Sequence, residues 1–574
     1  MKNLFSLWFF LDNKDKKSFY LIVFFSLLQG ILEMLGIAVI IPFMTLLLNP
    51  EGLQDLPLIG NLFNFNSLIV DKKTMIISCA GLFLIFFIKN ILILFTNKFI
   101  YRFIFNLRTK IFFRLTDNIL HQEYLFFVTK SMSEIYNVTI NELNNFIANI
   151  VKPSIILIVE IIVFCGIIVL IILSGYIDSL LSIFPIIILI AIILKKVSRS
   201  IKKWSKKRIS SHKNLLDLNQ NYVYGIREIL IYGTVNKILS NFRSILENLS
   251  SIDVKNTMVT NYPKILLEQS LILIFSIIIL HLYSSGKQSS ETLIVLSFYL
   301  AVAYRLLPSL NKIFVSNQQI KYGKPSANKL IEFFNLVKQN DYSANENNDS
   351  LVFKNEIMLK DIDFKYSQNQ KVLENVNLKI NKNEIIGFFG ESGSGKTTLI
   401  NLITNIIKPT SGEILIDNQK VDNFRLIRKY QNLFSISSQD TFFIDGTIKD
   451  NIIFGSKEEF SKSQIDKAIN FAQLEKFIQE LPNGLDTDIG FAIKQLSSGQ
   501  KQRITIARTI YNDRQIMIFD EATNALDEEN ERVIIENIKN LKAHKTIIII
   551  SHNRKNLDIC DETYQIKNKK LWKM

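Results

Sequence analysis

Residues able to do chemistry gather in the C-terminal third of the chain. The run Gly390-Glu391-Ser392-Gly393-Ser394-Gly395-Lys396-Thr397-Thr398 follows the apolar stretch Glu384–Phe389 and precedes another, from Leu399 to Ile407. Glycines at this spacing let backbone N–H groups curl around phosphate oxygens, and the helix that begins there adds partial positive charge. In this P-loop pattern the Lys396 amine reaches the β- and γ-phosphates of a nucleoside triphosphate, and the Thr397 hydroxyl ligates Mg2+. A second apolar run, Ile516-Met517-Ile518-Phe519, ends in Asp520 and Glu521. Asp520 is placed to hold Mg2+ through water, and Glu521 to polarise the water that attacks the terminal phosphate.

These side chains need strands behind them. Residues 351–574 alternate short β-like runs with helical patterns, which predicts an α/β P-loop ATPase domain. The polar stretch 338–350 reads as a linker. Upstream the composition changes. The chain has 574 residues, 48% hydrophobic and 21% charged, with a mean hydropathy of +0.20. That mixture predicts more than one domain, part of it within a membrane. Apolar runs near the ~20 residues needed for one crossing occur at Phe19–Leu48, Met75–Phe95, Ser154–Leu173, Ile177–Leu194, Ile265–Tyr283 and Thr292–Leu310. The predicted fold is therefore an α-helical six-span membrane domain over 18–337, joined to the ATPase domain. Residues 1–17 read as an interfacial helix feeding the first span. Pro42 is expected to kink that span, and Ser174-Gly175-Tyr176 to close a tight hairpin between the third and fourth.

Charge sorts the loops. Of 67 Lys+Arg against 52 Asp+Glu, a net +15, many basic residues fall in the long segments 96–153 and 195–264. Segments 49–74, 174–176 and 284–291 are short and nearly balanced. The positive-inside rule puts the long segments, both termini and the ATPase domain in the cytosol. The basic excess then needs no nucleic-acid partner. Helical periodicity continues from Tyr101 to Arg108 without a breaker, so the spans are expected to run on below the membrane. Bends are expected near Gln122–Ser133 and Tyr222–Gly233. Cys79, Cys165 and Cys560 are dispersed and read as free thiols, and the five histidines show no ligand spacing.

The order of P-loop, Gln439, Leu496-Ser497-Ser498-Gly499-Gln500, Asp520-Glu521, Asn524-Ala525-Leu526-Asp527 and Ile550-Ser551-His552 resembles an ABC-transporter nucleotide-binding domain. The resemblance runs from about Leu351 to Asp561 and implies that the nucleotide is ATP. It implies that Tyr366 stacks on adenine, that Gln439 completes the Mg2+ site and that His552 contacts the γ-phosphate. It also implies that Ser497, Gly499 and Gln500 open a helix facing the γ-phosphate of ATP bound to a partner subunit. One chain supplies one P-loop and one such signature, so two chains must enclose two ATP molecules, a second copy being the simplest partner. Three departures stand out. Ser498 occupies a usual glycine, which is expected to slow hydrolysis; Asn524 replaces a serine; Thr487–Ile493 lacks an acid after Gly490.

In the membrane half, Glu33, Lys89, Glu160, Glu268 and Arg305 lie inside spans and Lys264 at the edge of one, although a mid-membrane charge costs about 3 kcal/mol on insertion scales. Glu33-Met34-Leu35-Gly36-Ile37 with Pro42-Phe43, and Tyr304-Arg305-Leu306-Leu307-Pro308-Ser309, resemble bacterial flippases of lipid-linked oligosaccharides used in protein glycosylation. That resemblance implies an exporter of the bacterial inner membrane in which Lys89, Lys264 and Arg305 hold a cargo pyrophosphate. The outer loop Asn49–Asp71 is expected to touch membrane lipid. Two other readings stay open: export of a peptide, drug or another lipid, and a weakly active ATPase that gates or senses.

Overall fold

A computed structural model describes residues 7–48, 72–173, 178–284, 289–337, 351–367, 370–456, 460–490 and 496–574. The outer loop 49–71, the hairpin 174–176 and the linker 338–350 lie outside the described residues. The chain divides into two compact units, Met1–Gln122 with Phe126–Tyr342, and Glu123–Leu125 with Ser343–Met574.

All six predicted spans fall on helices of the first unit: Asn13–Ala38 with Ile40–Leu48, then Lys72–Leu120, Lys152–Leu173, Asp178–Tyr224, Val235–Ser284 and Ser289–Leu336. The first breaks at Val39. Pro42 has no N–H to offer the Ala38 carbonyl four residues earlier, so the helix stops there and restarts. Four of the helices run 49, 47, 50 and 48 residues. At 1.5 Å per residue each is about 70 Å long, more than twice the ~30 Å hydrocarbon layer. Where bends are expected, short helices Tyr124–Thr129 and Ile226–Ile231 appear.

The N-terminal segment packs against helices of its own unit. Leu7, Phe10 and Leu11 are buried, and the Phe10 ring packs edge-on against Phe146 and Phe334 at 5.2 and 5.6 Å. The acids that follow are tied down too: Lys110 lies 2.6 Å from Asp12 and 2.5 Å from Asp15. The helix proper starts at Asn13 with Asp12 and Asp15 forming a capping box, ahead of the expected boundary at 18.

The second unit holds two sheets. An antiparallel one has the order β2 (Gln370–Asn381), β1 (Glu356–Ser367), β4 (Ser411–Ile416), β5 (Gln419–Lys420). The other runs β10 (Lys570–Lys573), β9 (Glu562–Lys567), β3 (Ile385–Phe389), β8 (Thr546–Ile550), β7 (Ile516–Asp520), β6 (Phe434–Ser437). Strands β9, β3, β8, β7 and β6 are parallel. Strands β3, β7 and β8 are buried nearly throughout, which explains why they read as unbroken Ile/Phe runs rather than alternating ones.

Candidate functional site

In an open parallel sheet, ligands bind beyond the carboxyl ends of the strands. The order β3-β8-β7-β6 lines up at that edge the loop 390–395, then Ser551-His552, then Asp520-Glu521, then Gln439. Register fixes the alignment: Phe388 and Asp520 both pair with Ile550 on β8, and Ser437 pairs with Phe519. Residues more than 150 positions apart in sequence thus become neighbours.

The loop after β3 wraps into the helix Lys396–Ile403, with Gly393 at φ +78° and Gly395, the N-cap, at φ +107°. Only glycine takes such angles cheaply. Gly390 is fixed by closeness instead: a Cβ there would meet Ser394 Oγ at 2.7 Å. Lys396 is buried, and its amine donates to the carbonyls of Gly390 (2.8 Å) and Glu391 (3.2 Å). It also stands 3.7 Å from Glu521 Oε1 and 3.3 Å from His552 Nε2. His552 Nε2 lies 2.5 Å from the same Glu521 oxygen. The three residues expected to serve the reaction therefore form one contact network. Glu391, Ser392, Gly393 and Thr397 are exposed along the loop and first turn.

The site suits a cation and an anion. Asp520 is 6% exposed, and its carboxyl is pushed up to about 6, first by burial, then by the Glu521 and Asp440 carboxylates, while Lys396 pulls it down. A buried carboxylate with a like charge beside it gains from a bound metal ion. Asp520, Thr397 and Gln439 are the residues able to hold Mg2+; Gln439 is exposed, two positions beyond β6. Ser394 Oγ is buried without a hydrogen-bond partner among the described residues, as suits a group facing a phosphate. Thr398 turns inward, its hydroxyl 3.2 Å from Tyr366 OH. Tyr366 is 37% exposed, its ring perpendicular to Phe364 at 4.9 Å, which leaves a face for a base.

The signature opens the helix Ser498–Tyr511. Ser497 caps it and makes a capping box with Gln500: Gln500 N–H donates to Ser497 Oγ (3.1 Å) and Ser497 N–H to Gln500 Oε1 (2.8 Å). Ser498 is exposed, so its side chain has room within this subunit. The tight position is Gly499, where a Cβ would lie 2.8 Å from the Ala525 carbonyl oxygen. Asn524, flagged in the sequence only as a departure, donates from Nδ2 to Glu521 Oε2 at 3.1 Å. Gln502, within the polar run Gln500-Lys501-Gln502-Arg503, carries no signal in the sequence, and only the structure shows it buried.

Residues 373–524 match the family model "ABC transporter", and residues 19–307, half of the chain, match "ABC transporter transmembrane region". The chain belongs to the ABC transporters. Among relatives of this ABC transporter, "ATP-dependent lipid A-core flippase 2" of Colwellia psychrerythraea is 31% identical over 68% of this chain and 67% of its own length. "ATP-dependent lipid A-core flippase" of Pectobacterium atrosepticum is 30% identical over 70% and 69%. The structure of a bacterial Atm1-family ABC exporter with ATP bound superposes with a TM-score of 0.77 at 20% identity, covering 98% of this chain and 95% of that one. The transporter is thus a half-transporter of exporter type, with a membrane domain fused to an ATPase whose ATP hydrolysis is coupled to transport.

The three basic residues expected to grip cargo are each engaged within this chain, with Lys89 and Arg305 beside the same Glu33. Arg305 is held by Glu33, and its other nitrogen lies 3.6 Å from Glu160 Oε2. Glu160 also accepts from Ser309 and Lys312, each at 2.7 Å, and Gln29 donates to Glu33 at 3.1 Å. Lys89 sits over the Phe86 ring at 4.3 Å, with its stem against Gly36. Lys264 is exposed and pairs with Glu268 one turn along its own helix, at 3.8 Å. Charges within hydrocarbon pair because isolation there is costly, and carboxylates on two other spans were nearer than any neighbouring cation.

Proposed function

We propose that two copies of this ABC transporter form a homodimer that flips an anionic glycolipid from the cytoplasmic to the outer leaflet, driven by Mg2+-dependent ATP hydrolysis. The observation that carries the cargo class is the charged cluster of Glu33, Glu160 and Arg305 on three otherwise apolar helices, joined by Lys312 just beyond the last apolar run. A polar interior of this kind spares sugar hydroxyls the loss of water that crossing hydrocarbon demands. The relatives named as lipid A-core flippases support lipid flipping. The flippase-like motifs around Glu33 and Arg305 favour a polyprenyl-pyrophosphate oligosaccharide, whose pyrophosphate would exchange with the carboxylates now on Arg305. In the ATPase unit, Lys396 and His552 steady the γ-phosphate, Glu521 polarises water, and Ser497, Gly499 and Gln500 close over the partner's ATP. The site sits on the cytosolic side of an inner membrane.

Purified protein in liposomes tests this. Glu521→Gln abolishes ATP turnover. With a lipid-linked oligosaccharide as probe, translocation requires ATP and falls in Arg305→Ala and Lys89→Ala; lipid A-core is the second arm. Translocation of neither lipid, or transport undiminished by both substitutions, overturns the cargo reading while leaving the ATPase assignment intact.

A further inference from the structure

Gln502 sits one turn into the helix Ser498–Tyr511 and is 8% exposed. Its Nε2 donates to the carbonyl of Glu521 at 3.1 Å, and its Oε1 accepts from the Ala525 N–H at 3.0 Å. A glutamine amide has one donating and one accepting end, and both are spent on the backbone of a single short segment. That segment is unusual. Glu521 has φ +51°, a left-handed conformation that persists in a bulky residue only where the surroundings over-determine it. Asn524 then holds the Glu521 carboxylate from the same turn. The first turn of the Gln502 helix abuts this segment as well, with Gly499 against Ala525. The helix that carries Ser497–Gln500 and the turn that carries Glu521 are therefore clamped together at three points.

We propose that Gln502 is a positioning residue that couples the two ATP sites of the dimer. Through one bond pair it fixes the Glu521 that serves ATP on its own P-loop, and it seats the helix start that serves ATP on the other subunit. Closure over one nucleotide is thereby transmitted to the general base at the other. This rests on the dimer reading given above, in which each signature completes the partner's site.

The test uses full-length dimers bearing two different tags, purified over both. Glu521→Gln in one subunit leaves one hydrolysing site, made of the other subunit's P-loop and Glu521 and the first subunit's signature. Gln502→Glu keeps the shape and the accepting end but sets a carboxylate against the Glu521 carbonyl. It is placed in either chain in turn. Coupling predicts that kcat falls about 10-fold in both arrangements, the scale of one lost buried hydrogen bond, with KM for ATP within about 2-fold. A loss confined to the chain with intact Glu521, or confined to the chain with Glu521→Gln, overturns coupling, as does no loss in either. Ala525→Pro removes the N–H that Gln502 accepts while leaving Gln502 in place, and must give the same two-arm pattern if Gln502→Glu folds poorly. Tags that fail to co-purify, or turnover surviving Glu521→Gln in both subunits, would instead strike the dimer reading itself.

Discussion

Asp520 shows how one buried carboxyl ties fold to pH. Its folded value near 6 lies above the ordinary 3.8, because burial and the Glu521 and Asp440 charges disfavour ionisation. A group with a raised value binds its proton more readily in the folded state, so between those two values this residue adds stability as pH falls, opposite to a salt-bridged acid. Metal binding demands the ionised form. Apparent Mg2+ affinity in the presence of ATP is therefore expected to be about 10-fold weaker at pH 5 than at pH 7.5. Metal titrations at the two values check this; equal affinities would sink it. At this scale the sequence told a great deal, because Lys396, Asp520 and Glu521 announce themselves by following apolar strands. It could not show that Glu521 is bent into a left-handed backbone, or that Asn524 reaches its carboxylate, since both depend on where β7 and β8 end.

Helices and strands were legible where their composition is extreme. The helices over the six predicted spans were marked by runs of mostly apolar residues, and the break at Val39 by Pro42. The continuation of Lys72–Leu120 past its apolar run followed from the breaker-free stretch Tyr101–Arg108, whereas Val235–Ser284 and Ser289–Leu336 run on through Pro263 and Pro325. Pairing between elements was not legible: Glu33 and Arg305 meet across 272 positions, and no local pattern records that. Glu160 carries the element-scale prediction. It binds Ser309 and Lys312 and lies beside Arg305, with only 4% of its side chain exposed. Glu160→Gln removes one negative charge from between two cations. The expected cost is about 3 kcal/mol, the low end for a broken buried pair because Lys312 is half exposed. Adding Lys312→Met is expected to recover part of it, read as the thermal midpoint in detergent. A single substitution without effect would show that these helices are not held by the cluster.

For the whole molecule, the change from an apolar, basic N-terminal part to an ATPase domain was visible in composition. Identifying the cargo was not, because the charges that would recognise it are spent on one another. The assembly is testable without knowing the cargo. In detergent the full-length chain, and Glu521→Gln and Lys396→Ala alike, is expected as a species of twice the 66.3 kDa chain mass with or without ATP. Light scattering with detergent correction checks this, and a species of single chain mass would sink it.

The chain also carries its own reporter of water entry. Cys165 is exposed on a span whose Val163 and Ile167 are fully buried, whereas the Cys560 thiol is pushed up to about 12, first by burial and then by two nearby aspartates. Alkylation needs a thiolate and hence solvent. A small water-soluble maleimide therefore spares Cys560 and modifies the exposed Cys79 and Cys165 only while their own helix faces are wetted. The labelling rate at Cys165, read on its own peptide by mass spectrometry, would time that face's contact with water across the nucleotide cycle with no engineered probe.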